Sequence, residues 1–147
     1  MQQEQVMEIV LVEDNPADAE LTLDALETSR LCNRVTVIRD GQEALDFFFG
    51  TEKYAGSDTD RRPCVVLLDL KLPKVDGLDV LRALRADERT RDLPVVVLVA
   101  SKEYRDLVRS YDLRVDSTIV KPVEFEKLAE AAAEIGLCWV LLKAPPF

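Results

Sequence analysis

The sequence contains no histidine at all. That removes the most frequent general base and the most frequent metal-binding side chain, and with them most hydrolase triads and zinc-enzyme chemistries. Cysteine is scarce: Cys32, Cys64 and Cys138 are widely spaced, odd in number and without a CxxC pair. Neither a disulfide framework nor a zinc site is suggested, and the three read as thiols in a reducing cytoplasm. Long apolar runs are also missing. The longest are eight residues or fewer, so nothing is expected to span a membrane. The start, MQQEQVMEIV, lacks a basic segment followed by an apolar core, so it does not read as a signal peptide. Positive charge is in deficit, with 19 Lys and Arg against 28 Asp and Glu and a net charge of −9. Non-specific nucleic-acid binding needs a basic footprint, so no nucleic-acid partner is expected.

What is there is an ordinary globular composition over 147 residues, the length of one domain with a sizeable core. Short apolar runs alternate with helical periodicity. Strands are expected at Glu8–Val12, Arg34–Arg39, Val65–Leu68, Leu93–Ala100 and Ser117–Val120. Helices are expected at Pro16–Arg30, Gln42–Gly50, Leu78–Ala86, Lys102–Tyr111 and Val123–Val140. In the first helix Ala17, Leu21, Ala25 and Leu26 fall on one face, with Asn15 as N-cap and Pro16 at the first position. In the fourth, Tyr104, Leu107, Val108 and Tyr111 form a stripe; in the fifth, Phe125, Leu128, Ala131, Ala132, Ile135 and Trp139 do. Thr51–Pro63 is a long polar loop, and Leu141–Phe147 an apolar tail that two prolines keep from continuing the helix. Alternation of this kind implies an α/β fold, a doubly wound parallel sheet with right-handed crossovers, and five strands fit the flavodoxin-like (βα)5 arrangement with strand order 2-1-3-4-5.

The central stretch is VVLLDLKLPKVDG, Val65–Gly77. Its apolar run reads as a strand buried on both faces, and Asp69 stands where it meets solvent. Glu13 and Asp14 end the neighbouring first strand, and Lys121 ends the fifth. Each could be a polar strand terminator or, for the acidic pair, a helix-dipole residue. Together they place three carboxylates on the rim where ligands bind in open α/β sheets. Unpaired carboxylates in a cleft repel one another, and a hard divalent cation relieves this. Oxygen ligands of this kind suit Mg²⁺, which often brings a phosphoryl group with it.

Those residues carry a resemblance. Glu13-Asp14, the Asp69…Pro73…Asp76-Gly77 loop and the Lys121-Pro122 step lie at the spacings of bacterial response-regulator receiver domains. The resemblance covers about residues 8–140 of a single domain, 1–147, with 141–147 as a tail. The VEDNPAD start, the long loop, the DLKLPK…DG stretch and the Trp-plus-tail are most similar to single-domain regulators that partner phytochrome histidine kinases.

The resemblance implies roles. Asp69 would accept a phosphoryl group from a histidine kinase. Asp14 would ligate Mg²⁺ directly, Glu13 mainly through water, and Asp69 and the backbone carbonyl of Lys71 would complete the protein ligands. Lys121 would contact a phosphoryl oxygen. The relatives also imply a homodimer, with the apolar tail as its arm. Two family positions depart. The hydroxyl residue at the end of the fourth strand is Val99, leaving only the N–H of Ala100, and the switch aromatic of the fifth strand is Thr118. Ser101, two residues on, reads as an ordinary helix N-cap. A weaker conformational response to phosphorylation follows. The function implied is a phosphorelay module in the cytoplasm rather than a turnover enzyme, with output through protein contacts or onward phosphotransfer. Two alternatives stand beside it. One is a docking module that is never phosphorylated. The other is a phosphatase with an Asp nucleophile, against which Lys71 stands where a second acid would be wanted.

Overall fold

The computed structural model describes residues 8–29, 34–50, 65–72, 74–109 and 113–135. Five parallel strands form one sheet: β1 (Glu8–Val12), β2 (Arg34–Ile38), β3 (Val65–Asp69), β4 (Val95–Val99) and β5 (Ser117–Val120). Their order is β2-β1-β3-β4-β5, as expected from the alternation. The register sets Val12 beside Leu68 and Asp69 beside Leu98, so the carboxyl ends of β1, β3 and β4 lie level on one rim.

Every residue of β3 and β4 is buried, which is why these strands read as unbroken apolar runs. Alternate residues face opposite layers. Val10, Val12, Val66, Leu68, Val95 and Val97 pack with Ala44 and Phe48 of α2 (Gly41–Phe49) and with Val80, Leu81 and Leu84 of α3 (Gly77–Ala86). Ile9, Leu11, Val65, Leu67, Val96 and Leu98 pack with Ala19, Ala25 and Leu26 of α1 (Pro16–Ser29) and with Leu128 and Ala131 of α5 (Phe125–Ile135). The remaining helix, α4 (Lys102–Arg109), adds Tyr104 to the first layer. Among the described residues no helix is long and apolar enough to cross a membrane.

Several boundaries move for local reasons. β4 begins at Val95 rather than Leu93, because Pro94 has no N–H for the ladder. α2 begins at Gly41, capped by Asp40, whose Oδ1 accepts the Glu43 N–H at 2.7 Å. It ends at Phe49, with Gly50 left-handed (φ 69°) as the cap. The inward stripe of α1 differs from the expected one. Ala17 and Leu21 are exposed, Leu21 by 49%, while Ala19, Thr22, Ala25 and Leu26 are buried. Weak amphipathicity allowed two faces, and packing against β1, β3 and α5 chose between them. The side chains of Leu107, Val108, Phe125, Ala132 and Ile135 lie outside the described residues. So do Tyr111, Trp139, all three cysteines, the 51–63 loop and the tail.

Candidate functional site

The rim of the sheet opens into a cavity of about 550 Å³. Glu13, Asp14, Asp69, Lys71, Val99, Ala100 and Lys121 all line it, so eight sequence-predicted positions reduce to one outlier. The outlier is Thr118. It pairs with Val97 inside the sheet and lines a separate groove with Lys102, Arg105 and Lys127.

Local structure fixes each group. Asp69 is the last residue of β3, and its Oδ1 accepts the Lys71 N–H at 3.0 Å. The loop then turns back so that the Gly77 N–H reaches the Leu70 carbonyl at 3.0 Å. A Cβ on Gly77 would lie 2.3 Å from the Asp69 carbonyl oxygen, so only glycine lets α3 start this close to the site. At β1, Asn15 caps α1 by accepting the N–H groups of Ala17 and Asp18 at 2.9 and 3.0 Å. The acidic pair is thereby held at the strand end, with Glu13 fully buried and Asp14 exposed. Lys121 leaves β5 with its N–H on the Val99 carbonyl at 2.8 Å.

The Lys121 ammonium sits among three carboxylates. It donates to Asp69 Oδ2 at 2.7 Å and to Asp18 Oδ2 at 3.0 Å. Glu13 Oε1 lies 2.8 Å away, an ion pair without hydrogen-bond alignment. Burial alone pushes the ammonium down, but these contacts outweigh it and hold it well above the ordinary lysine value. Burial pushes the Glu13 carboxyl up and Asp69 pushes it further. Lys121 offsets both only in part, leaving Glu13 at about 8.

Asp18 is the site residue that sequence reasoning missed. It looked like a first-turn helix acid, and only a contact across 103 positions of chain reveals otherwise. Ser101 does what the sequence suggested: its Oγ accepts the Tyr104 N–H at 3.2 Å and caps α4. Val99 is buried and supplies no hydrogen-bonding side chain to the cavity.

The donor set can be tested against a metal. Oxygens of Glu13, Asp14 and Asp69 all lie within 4.8 Å of one another. Octahedral Mg²⁺ with bonds of about 2.1 Å sets its ligand oxygens roughly 3 to 4.2 Å apart, so small adjustments would suffice. An all-oxygen, acid-rich set is the chemistry such an ion takes.

The match to known proteins agrees with this geometry. Residues 9–133 match the family model described as the response regulator receiver domain. The chain belongs to that family. Its receiver fold resembles the solved bacteriophytochrome response regulator AtBRR at 51% identity and a TM-score of 0.83, covering 92% of this chain and 96% of that one. It is 43% identical over 132 residues to the probable methanogenesis regulatory protein FilR2 of Methanothrix harundinacea, covering 90% of this chain and 83% of that protein. It also resembles the Mn²⁺-bound form of response regulator Rcp1, a protein of Synechocystis sp., at 33% identity and a TM-score of 0.71. That likeness covers 96% of this chain and 98% of that one. Receiver domains of this group thus include one solved with a divalent ion.

Proposed function

We propose that this receiver accepts a phosphoryl group on Asp69 from a phosphohistidine of a histidine kinase, a phytochrome being the favoured class. The observation that carries the reading is the Asp69 carboxylate at the strand end, 2.7 Å from the Lys121 ammonium and clustered with Glu13 and Asp14. An Asp69 oxygen attacks phosphorus, the P–N bond breaks, and its electron pair returns to the imidazole, giving an acyl phosphate. Such a transfer needs in-line placement and neutralised charge more than acid–base help. The Lys71 N–H fixes the carboxylate's orientation, and Lys121 pairs with a phosphoryl oxygen. Glu13, Asp14, Asp69 and the Lys71 carbonyl would hold Mg²⁺, which supplies further charge neutralisation when bound.

With Val99 in place of a hydroxyl, the Ala100 N–H and Lys121 carry the phosphoryl contacts, and Thr118 cannot act as a switch aromatic. The module signals by protein contact or onward phosphotransfer rather than by turnover, as one cytoplasmic receiver domain over residues 1–147 with neither a nucleic-acid nor a membrane partner. A homodimer belongs to the same reading. It rests on Trp139 and the apolar tail, outside the described residues, since an exposed apolar tail is a liability in a monomer. Light scattering of wild type against a chain ending at residue 140 tests it.

The decisive experiment is phosphotransfer from a phosphorylated candidate kinase. Wild type is expected to take up label and Asp69→Asn none. Equal labelling of the two would put the acceptor at another residue and overturn the Asp69 reading, and no labelling of either across a kinase panel would leave the phosphorylation-independent docking module as the better account.

A further inference from the structure

The Lys121 ammonium has three acidic neighbours, two of them hydrogen-bonded (Asp18 and Asp69) and one an unaligned ion-pair partner (Glu13), and these are not equivalent. Glu13 and Asp69 belong to the oxygen cluster that would hold a divalent cation, on the reading proposed above, and this inference rests on that reading. Asp18 lies outside the cluster and reaches the same ammonium from the first turn of α1. The ammonium therefore sits on two of the carboxylates that an entering metal needs. Two cations sharing those carboxylates would repel strongly, because Glu13 and Asp69 are almost wholly shielded from water. For the metal to bind, Lys121 must yield Glu13 and loosen its hold on Asp69.

Asp18 is placed to receive it. Its carboxylate is 37% exposed, so contact with the ammonium there costs little desolvation. Its backbone is independently occupied: the N–H is capped by Asn15, and its carbonyl accepts the Thr22 hydroxyl at 3.0 Å. The side chain is thus not needed to cap α1. We propose that Asp18 is a positioning residue that takes the displaced Lys121 ammonium when a divalent cation enters. In doing so it lowers the cost of metal binding and links α1 to the end of β5.

Mn²⁺ binding to the intact chain, read from the paramagnetic resonance signal of the free ion, tests this without any phosphotransfer. Asp18→Asn is expected to weaken Mn²⁺ binding about twofold to fivefold, the range of a partly exposed charge contact. Asp18→Glu should restore most of the affinity. Glu20→Gln, which removes an exposed α1 charge away from the site, should not change it. Lys121→Met removes the competing cation and should tighten binding. In that background Asp18→Asn should have no further effect. Equal losses with Lys121 present or absent would overturn the proposal, because Asp18 would then act only through its field. So would an Asp18→Asn affinity matching that of Glu20→Gln. If Asp14→Asn abolishes binding while Asp18→Asn leaves it unchanged, the metal reading survives and this one fails. A wild type that binds no Mn²⁺ sinks both.

Discussion

Among the described residues each rim of the sheet shelters one cation, and the two rims handle it in opposite ways. At the amino ends of β4 and β5, Arg85 donates to the carbonyls of Arg114, Arg91 and Leu93 at 2.9, 2.8 and 2.8 Å, and to Asp116 Oδ2 at 3.1 Å. Asp116 Oδ2 also accepts the Val95 N–H at 2.8 Å. One sheltered guanidinium, one carboxylate and three carbonyls make up the buried part, and the exposed Arg114 guanidinium, on the Arg91 carbonyl at 2.6 Å, has its own acid in Asp92 at 3.7 Å. At the carboxyl ends Lys121 faces Glu13, Asp18 and Asp69, with Asp14 beside them. There the negative charge is in surplus. A balanced buried pair mainly fixes geometry, whereas a surplus stores a demand that a ligand can meet. Both motifs are buried charge, and the imbalance is what separates binding chemistry from a strut.

The comparison breaks first if the rims respond alike to losing a charge. Asp69→Asn should abolish phosphotransfer while moving the metal-free unfolding free energy by less than about 1 kcal/mol, since Lys121 keeps two other carboxylates. Urea denaturation beside the labelling assay checks both halves. Arg85→Ala should do the reverse. It strands Asp116 in a half-buried site and should cost about 3 kcal/mol in urea while leaving the labelling rate of the folded protein unchanged. A smaller effect is expected from Val99→Thr, which adds a hydroxyl donor at the end of β4. A hydrogen bond to a charged group is worth about 1.5–3 kcal/mol, so beryllofluoride with Mg²⁺ should bind tighter by calorimetry and the acyl phosphate should last longer. Unchanged affinity and lifetime would mean that the Ala100 N–H and Lys121 already suffice.

The smallest effect belongs to Asp87, on the balanced rim. The guanidinium and N–H of Arg89 hold its carboxyl down at about 2, against an ordinary 3.8. The folded state therefore binds this proton more weakly than the unfolded one. The stabilisation is present above about pH 4 and is lost as pH falls toward 2. The stability gap between wild type and Asp87→Asn should close over that window; a gap constant with pH would mean that the pair contributes nothing.

Much of this was legible in the chain. The unbroken apolar runs at Val65–Leu68 and Val95–Leu98 announced doubly covered parallel strands, and the acids and lysine following such runs announced the rim. Asn15-Pro16 marked a helix start because capping is a local event within three residues. Absence was legible too: Val99 and Thr118 stand out against the receiver pattern without any coordinates. Less was legible where periodicity was weak. In α1, Ala17 and Leu21 fitted one face as well as Ala19 and Thr22 fitted another, and only the packed sheet settled it.

The sequence by itself determined the alternating strands and helices, the rim on which chemistry sits and three of its acids, Glu13, Asp14 and Asp69, because these follow from hydrophobic period and local turn signals. Only the tertiary structure decided that Asp18 shares Lys121 with Glu13 and Asp69, and that Arg85 locks onto Asp116. Those contacts join residues 103 and 31 positions apart. No local pattern encodes them, since a side chain's distant partner is fixed by how layers pack and not by its neighbours along the chain.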